Sequence, residues 1–364
     1  MSWPDPSRLR WSPTVRVPSD DGTEIAVEIL GDTHPGSTLV FTHGWTFSSR
    51  SWHYQRMLAE RWRLVLMDHR DHGESGRGPR EHRTVGQVGR DLYAVLQATC
   101  AGRDVVLVGH SMGGMTIMAL AAEHPELFGA QVKGVALLST SAKQPEEHTF
   151  GLRGPLAKGF VKQWQGSLAL MTSDPVRAER ARRNGSVLSV AVSRFLNLGK
   201  RPDWRLARFT EAMSAAVPAE VVGDFWVSLD AHDKTQALAT MAAVPTLVLV
   251  GDHDRLTPVE GARQIAARIP GSRLVELRDA GHCAMLEQPD AVNAALRELV
   301  EAATATTRAT PAAAAASKPV AATKATAKKA PAKKPTKRAP ASDAPRPAAR
   351  RAKAIGSPAD EVAS

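Results

Sequence analysis

Glu24 to Leu30 alternates apolar and polar positions with the period of a half-buried strand. The next apolar runs are shorter and almost continuous: Thr38 to Thr42 (TLVFT), Arg63 to Asp68 (RLVLMD), Asp104 to Val108 (DVVLV), Val132 to Ser139 (VKGVALLS), Pro245 to Val250 (PTLVLV) and Arg273 to Leu277 (RLVEL). Their valine and leucine content is that of strands covered on both faces. Between them the period changes. Ser51 to Glu60, Met115 to Glu123, Val259 to Ile269 and Asp290 to Ala302 read as helices. Thr84 to Cys100 places Leu92, Val95, Leu96 and Thr99 near one helical face, although Gly86 and Gly89 weaken its first turns.

Short apolar strands alternating with helices predict an α/β fold with a mostly parallel, doubly wound sheet. The alternation breaks once. Residues 141–243 contain no convincing buried strand, and they carry Trp164, Trp204, Phe225 and Trp226 among many arginines. This interval is expected to be a mainly helical lid or cap inserted into the core, with those aromatics either lining a pocket or forming the lid's own core. The expected organisation is an N-terminal extension over 1–20, a core over 21–140 and 244–302, the insertion over 141–243, and a tail over 303–364.

Charge separates the tail from the body. Of a net +10, residues 301–364 hold +9 and the first 300 residues +1. The segment 303–364 has eight prolines, no aromatic residue and repeats such as AKKAPAKKPTKRAP. Such a composition cannot bury enough apolar surface to fold, so a disordered basic tail is expected. Two cysteines, Cys100 and Cys283, exclude a disulfide framework and suit reduced, buried thiols. The N-terminus MSWPDPSRLRW lacks the apolar stretch of a signal peptide, and no apolar run reaches the ~18–20 residues that span a bilayer. A soluble cytoplasmic protein is the expectation.

The candidate chemistry begins at Gly109-His110-Ser111-Met112-Gly113. This G-x-S-x-G stretch lies between a predicted buried strand and a predicted buried helix. Small neighbours two positions away give a serine room on a sharp strand-to-helix turn, and the turn lifts its hydroxyl to a helix N-terminus. A free hydroxyl is a weak nucleophile, so a base must take its proton, and an imidazole base needs a third group to orient it. His282 follows the last predicted strand. Asp252 and Asp254 both follow the strand ending at Val250 and compete for the third role. The backbone N–H of Met112 is placed to donate to a developing oxyanion. No His, Cys and carboxylate group has the spacing of a zinc site, so His43 and His110 read as structural or pocket-lining, and neither metal nor cofactor is expected.

Four motifs resemble those of the α/β-hydrolase fold family across residues 20–300. They are His43-Gly44-Trp45, Asp68-His69-Arg70-Asp71-His72-Gly73-Glu74-Ser75, the Gly109–Gly114 turn, and the pair formed by Gly251–Pro258 and Ala280-Gly281-His282. The order Ser, Asp, His is the one that fold uses. The resemblance implies a Ser111-His282-Asp254 triad, since the family's G-x-x-D falls on Asp254, with Thr257-Pro258 read as the cap and first residue of a helix. It implies a second oxyanion donor in the backbone N–H of Trp45. One departure is Asp71, where the family has glycine. The function implied is hydrolysis of a small ester-like substrate through an acyl-enzyme. Carbon–carbon bond hydrolysis and haloperoxidase-like chemistry use the same triad, whereas epoxide hydrolase and dehalogenase relatives carry aspartate at the elbow. A separate reading makes the body an inactive scaffold. The tail, similar to linker-histone-like tails, would then bind nucleic acid or another polyanion by counterion release.

Overall fold

The structure is a computed structural model that describes residues 12–144, 150–184, 186–201 and 203–316. Strands β1 (Val15–Pro18) and β2 (Glu24–Leu30) form an antiparallel entry. β3 (Thr38–Thr42), β4 (Arg63–Met67), β5 (Val105–His110), β6 (Val132–Leu138), β7 (Thr246–Gly251) and β8 (Arg273–Leu277) follow. They make one eight-stranded sheet in the order β1-β2-β4-β3-β5-β6-β7-β8, parallel from β4 onward. Helix α1 (Val85–Thr99) precedes β5, and α2 (Met112–Glu123) follows it. Helices α3 (Gly154–Ser173), α4 (Pro175–Asn184), α5 (Ser186–Asn197), α6 (Trp204–Ala216), α7 (Ala219–Asp230) and the short α8 (Leu238–Met241) fill the interval between β6 and β7. The chain closes with α9 (Val259–Arg268), α10 (Ala284–Glu287) and α11 (Pro289–Ala316).

The near-continuous apolar runs form the strands because both sheet faces are covered. Leu39, Phe41, Leu64, Leu66, Val106 and Val108 bury one face against Trp52 and Leu58 of the 3-10 segment Ser49–Glu60 and against Met285 and Leu296. The intervening Val40, Val65, Met67, Val105 and Leu107 bury the other against Leu92, Leu96, Ile117 and Ile265. A strand's period of two thus sorts one run into two cores. A third cluster joins core to cap, with Val85, Val88, Met112 and Met115 against Leu168, Val221, Phe225 and Leu229. Ion pairs reinforce this junction. Arg80 grips Asp224 of α7 with two nitrogens at 2.8 and 2.9 Å, and Arg83 reaches the same carboxylate at 2.8 Å.

Several elements depart from expectation. Val15–Pro18, inside the expected N-terminal extension, pairs with β2 as an edge strand; four residues with a terminal proline give too short a pattern to announce it. Ser49–Glu60 is a 3-10 segment kinked at Trp52. Helix α2 starts at Met112 and includes Gly113 and Gly114, because the sharp turn compresses the link between strand and helix. Helix α11 runs to Ala316, past the expected boundary at 302: the stretch TATTRATPAAAAA is alanine-rich enough to prolong it, its proline notwithstanding. Residues 317–364, on which most of the disordered-tail expectation falls, lie outside the described residues. Among the described residues no helix is long and apolar enough to cross a membrane.

Candidate active site

All the site residues stand at the C-terminal edge of the parallel strands. β5 ends at His110, and Ser111 then takes φ 53° and ψ −118°, in the left-handed half of the map that side chains rarely occupy. The glycines make this turn possible. A Cβ on Gly113 would lie 2.1 Å from the Thr42 carbonyl oxygen, and one on Gly109 would lie 2.5 Å from the Gly113 oxygen. Surrounding hydrogen bonds hold the strained residue. Its N–H donates to Leu138 O at 3.0 Å, and its own carbonyl accepts from the Thr140 hydroxyl at 2.7 Å. Among the described residues the N–H groups of Met112 and Trp45 donate to no protein acceptor.

β7 and β8 deliver the other two side chains. His282 Nδ1 lies 2.9 and 3.0 Å from the two carboxylate oxygens of Asp254. Asp254 also accepts from the N–H groups of Leu256 at 3.0 Å and Thr257 at 2.9 Å, and from the Thr257 hydroxyl at 2.8 Å. Burial pushes its pKa up, but the neighbouring His282 and the Thr257 donors outweigh burial and hold the carboxyl below its usual range. An ionised Asp254 requires Nδ1 to carry the proton, which leaves Nε2 as the accepting nitrogen. Asp252, the competing aspartate, is spent on His253 at 2.6 Å and faces solvent. Helix α9 begins at Val259 with Pro258 as its cap, so Thr257 is not the capping residue; its hydroxyl serves Asp254 instead.

Ser111 and His282 both line a cavity of about 600 Å³ between the sheet edge and helices α3 to α7. The structure joins Asp254 to His282 directly. It brings Ser111 and His282 to one cavity wall, and among the described residues no hydrogen bond links those two. Such catalytic contacts are often long before substrate is bound. Trp164 lines the same cavity, Phe225 is fully buried, and Trp204 is 51% exposed with Arg194 stacked over its ring. Cys283 is buried in the main core, and burial raises its thiol pKa well above the usual value.

His43 and His110, read from the sequence as structural or pocket-lining, build the wall behind the site together with His69 and His72, to which the motifs gave no role of their own. His43 Nε2 accepts the His69 N–H at 2.9 Å, so its Nδ1 donates to Gly44 O at 2.8 Å. His72 Nε2 accepts the Thr46 N–H at 3.3 Å, so its Nδ1 donates to Arg70 O at 2.8 Å. His110 Nε2 donates to His282 O at 2.9 Å. These rings are held neutral: burial lowers the pKa of His72 to about 4 and those of His69 and His110 to about 3. They fix the backbone on either side of Trp45 and behind His282. Asp71, in the place of the family's glycine, takes φ 62° and turns its carboxylate to Arg83 at 3.3 Å. Glu287, also missed, accepts the N–H groups of Gly199 at 2.7 Å and Gly281 at 2.8 Å, tying the His282 loop to the end of α5. Beyond that reading of His43 and His110, only the density of histidine and glycine around the motifs hinted at such roles.

A strained serine after the central strand, and a histidine with its aspartate after the last two, define a class of fold. A sequence model of the alpha/beta hydrolase fold matches residues 37–289, and the chain belongs to that family. It is 27% identical to a non-heme haloperoxidase of Rhodococcus erythropolis over 78% of this chain and 98% of that protein. It is 26% identical to the pimeloyl-[acyl-carrier protein] methyl ester esterase of Xanthomonas campestris pv. campestris over 76% of this chain and 98% of that one. Among solved structures it is similar to a thermophilic esterase from Thermogutta terrifontis, with a TM-score of 0.63 and 26% identity, covering 79% of this chain and 98% of that chain.

Proposed function

We propose that the protein is a serine hydrolase of small carboxylic esters. The observation that carries this reading is the shared cavity: Ser111 stands on its strained turn in the wall that also holds His282, whose Nδ1 is fixed by Asp254 at 2.9 Å. Ser111 Oγ attacks the ester carbonyl as its proton passes to His282 Nε2. The oxyanion accepts hydrogen bonds from the N–H groups of Met112 and Trp45, each worth about 3 kcal/mol of barrier. The bond to the alkoxy oxygen breaks and His282 returns the proton to the departing alcohol. Water then repeats the sequence on the acyl-enzyme, releasing the acid and restoring Ser111. Ser111→Ala abolishes turnover of p-nitrophenyl hexanoate and labelling by a fluorophosphonate probe; undiminished labelling of the variant overturns the assignment.

The similarity to a non-heme haloperoxidase supports a second reading, in which the same residues carry haloperoxidase-like chemistry. Halogenation of monochlorodimedone that requires Ser111 and outpaces ester hydrolysis would favour it. The charge of the terminal segment supports an added role for residues 303–364, the salt-dependent binding of nucleic acid or another polyanion. The full chain retards duplex DNA at low salt, and a chain ending at Ala316 does not; equal retardation removes that role.

A further inference from the structure

The cavity wall changes character away from the sheet edge. The loops at the sheet edge and helix α3 give it aromatic and aliphatic side chains, Trp45, Phe47, Leu256 and Trp164, with Thr46 among them. The other ionisable side chains lining it, Glu179, Arg182 and Glu211, all come from the cap helices α4 and α6. Two of these three are spent on each other and on the backbone. Arg182 pairs with Glu179 at 3.3 Å and donates to Ser214 O at 2.6 Å and Val217 O at 2.8 Å, which pins α4 to the end of α6. Glu211 is different. Among the described residues its only hydrogen-bond partner is the Ser189 hydroxyl, at 2.8 Å on one carboxylate oxygen, and no cation pairs with it. A carboxylate that lines a partly apolar cavity, with no cation paired to it among the described residues while Arg182 is spent on Glu179 and on backbone, leaves its charge to be met by what enters.

We infer that Glu211 makes this cavity selective for esters that carry a cationic group, an alkylammonium or a guanidinium, at a distance from the ester bond. The inference rests on the hydrolase reading for its chemistry, but the preference itself is one of binding. The apolar side chains of the sheet-edge loops and α3 accept the chain between ester and cation, and the tryptophan faces there tolerate a passing ammonium. A substrate with a free carboxylate in the same position meets Glu211 and is disfavoured. The cap thereby sets selectivity while the sheet edge supplies the reacting groups.

The test compares esters matched in shape and different in charge, on the full chain. One pair varies the alcohol: choline hexanoate against 3,3-dimethylbutyl hexanoate. The other varies the acid: ethyl 4-(trimethylammonio)butanoate against ethyl 5,5-dimethylhexanoate. The cationic member of at least one pair is favoured by about tenfold in kcat/KM at low ionic strength. That ratio falls towards one in Glu211→Gln, and in the unmodified protein it shrinks as salt is raised to about 0.5 M. Calorimetry on Ser111→Ala gives a readout without turnover: hexyltrimethylammonium binds about tenfold more tightly than hexyl sulfate, and Glu211→Gln erases the difference. Hydrolysis without a charge preference, or a preference untouched by both salt and Glu211→Gln, overturns the inference and spares the hydrolase reading. A Glu211-dependent preference in binding without hydrolysis of any ester overturns the hydrolase reading and spares the preference.

Discussion

Acid should unfold this protein through its histidines, and the structure gives the size of the effect. His69, His72, His110 and His232 are all buried, and burial lowers their pKa values to about 3, 4, 3 and 4. His43, fully buried against His69 and His72, is lowered in the same direction. In the unfolded chain each imidazole titrates near its ordinary value of about 6.5. A base whose pKa is depressed by folding takes no proton in the folded state while the unfolded chain does. Stability is therefore unaffected above about pH 6.5 and is lost as pH falls below it towards the folded-state values. At pH 5 each such imidazole costs about 2 kcal/mol, so four cost about 8. Asp68 opposes them. Burial raises its pKa to about 6, so the folded state gains a proton first and recovers about 1–2 kcal/mol over the same range. Burial raises the Asp71 and Glu287 carboxyls in the same sense as Asp68, and His43 adds to the histidine side, so the balance is a loss of several kcal/mol between pH 7.5 and 5, on the order of the whole stability of many domains. Urea unfolding followed by tryptophan fluorescence at half-unit pH steps measures it, and calorimetry in buffers of different ionisation enthalpy counts the protons. The expected result is a stability that is flat above pH 7 and falls steeply below 6, with several protons taken up on unfolding at pH 5. An unfolding midpoint that stays level to pH 5 with no proton uptake would refute the assignment of these rings as buried and neutral.

Three substitutions probe other parts of the same edge. Asp254→Asn removes the charge that orients and stabilises the His282 ring, and kcat on p-nitrophenyl hexanoate falls by about 10³–10⁴ with the circular dichroism spectrum unchanged. Gly113→Ala drives a methyl group to 2.1 Å from Thr42 O; that oxygen is backbone and cannot swing aside, and urea unfolding should show a loss of about 3 kcal/mol or more. Arg70→Met strands two carboxylates, the fully buried Asp91 that it grips at 2.6 and 2.8 Å and Asp21 at 2.6 and 3.2 Å, and costs about 3–5 kcal/mol in the same assay, while Arg70→Met with Asp91→Leu recovers the share due to Asp91 and leaves that of Asp21.

The strands and the elbow were legible because each is decided locally. An apolar run such as TLVFT has no fate but a covered strand, and G-x-S-x-G between a strand and a helix admits only residues that fit the turn. Asp254 was legible only through resemblance, since Asp252 stands two positions away on the same loop and nothing local separates them. The distinction arises where β7 and β8 run side by side, with Gly251 opposite Leu277, so that Asp254 rather than Asp252 turns inward to His282. The sequence marked His43 and His110 as structural or pocket-lining, but how the histidines of the wall pair was illegible for a related reason. His43, His69 and His72 lie in two loops, and their pairing depends on β3 and β4 being parallel neighbours that end at the same level. Glu211 carries no signal at all in its helix: its spacing suits an exposed position, and only the packing of α5 against α6 turns it to the cavity.

Core and cap are held by different kinds of contact, and this bears on how the site would respond to change. Ser111 is fixed largely through main-chain contacts: its N–H on Leu138 O, its carbonyl under the Thr140 hydroxyl, and Gly113 against Thr42. Most side-chain substitutions leave such contacts alone, so the strained turn persists as long as its glycines do. The cap is held on the core by side chains, with Asp224 between Arg80 and Arg83, and Trp45 against Trp164 and Trp226 at centroid distances of 6.2 and 5.4 Å. Substitutions on α4 and α6 can therefore reshape the wall around Glu211 without touching the contacts that hold Ser111, whereas the end of α5 bears on the His282 loop through Glu287 and through the Cys283 N–H on Asn197 O at 2.8 Å. On the proposed reading, selectivity is freer to vary in α4 and α6 than at the end of α5, which helps to hold the His282 loop.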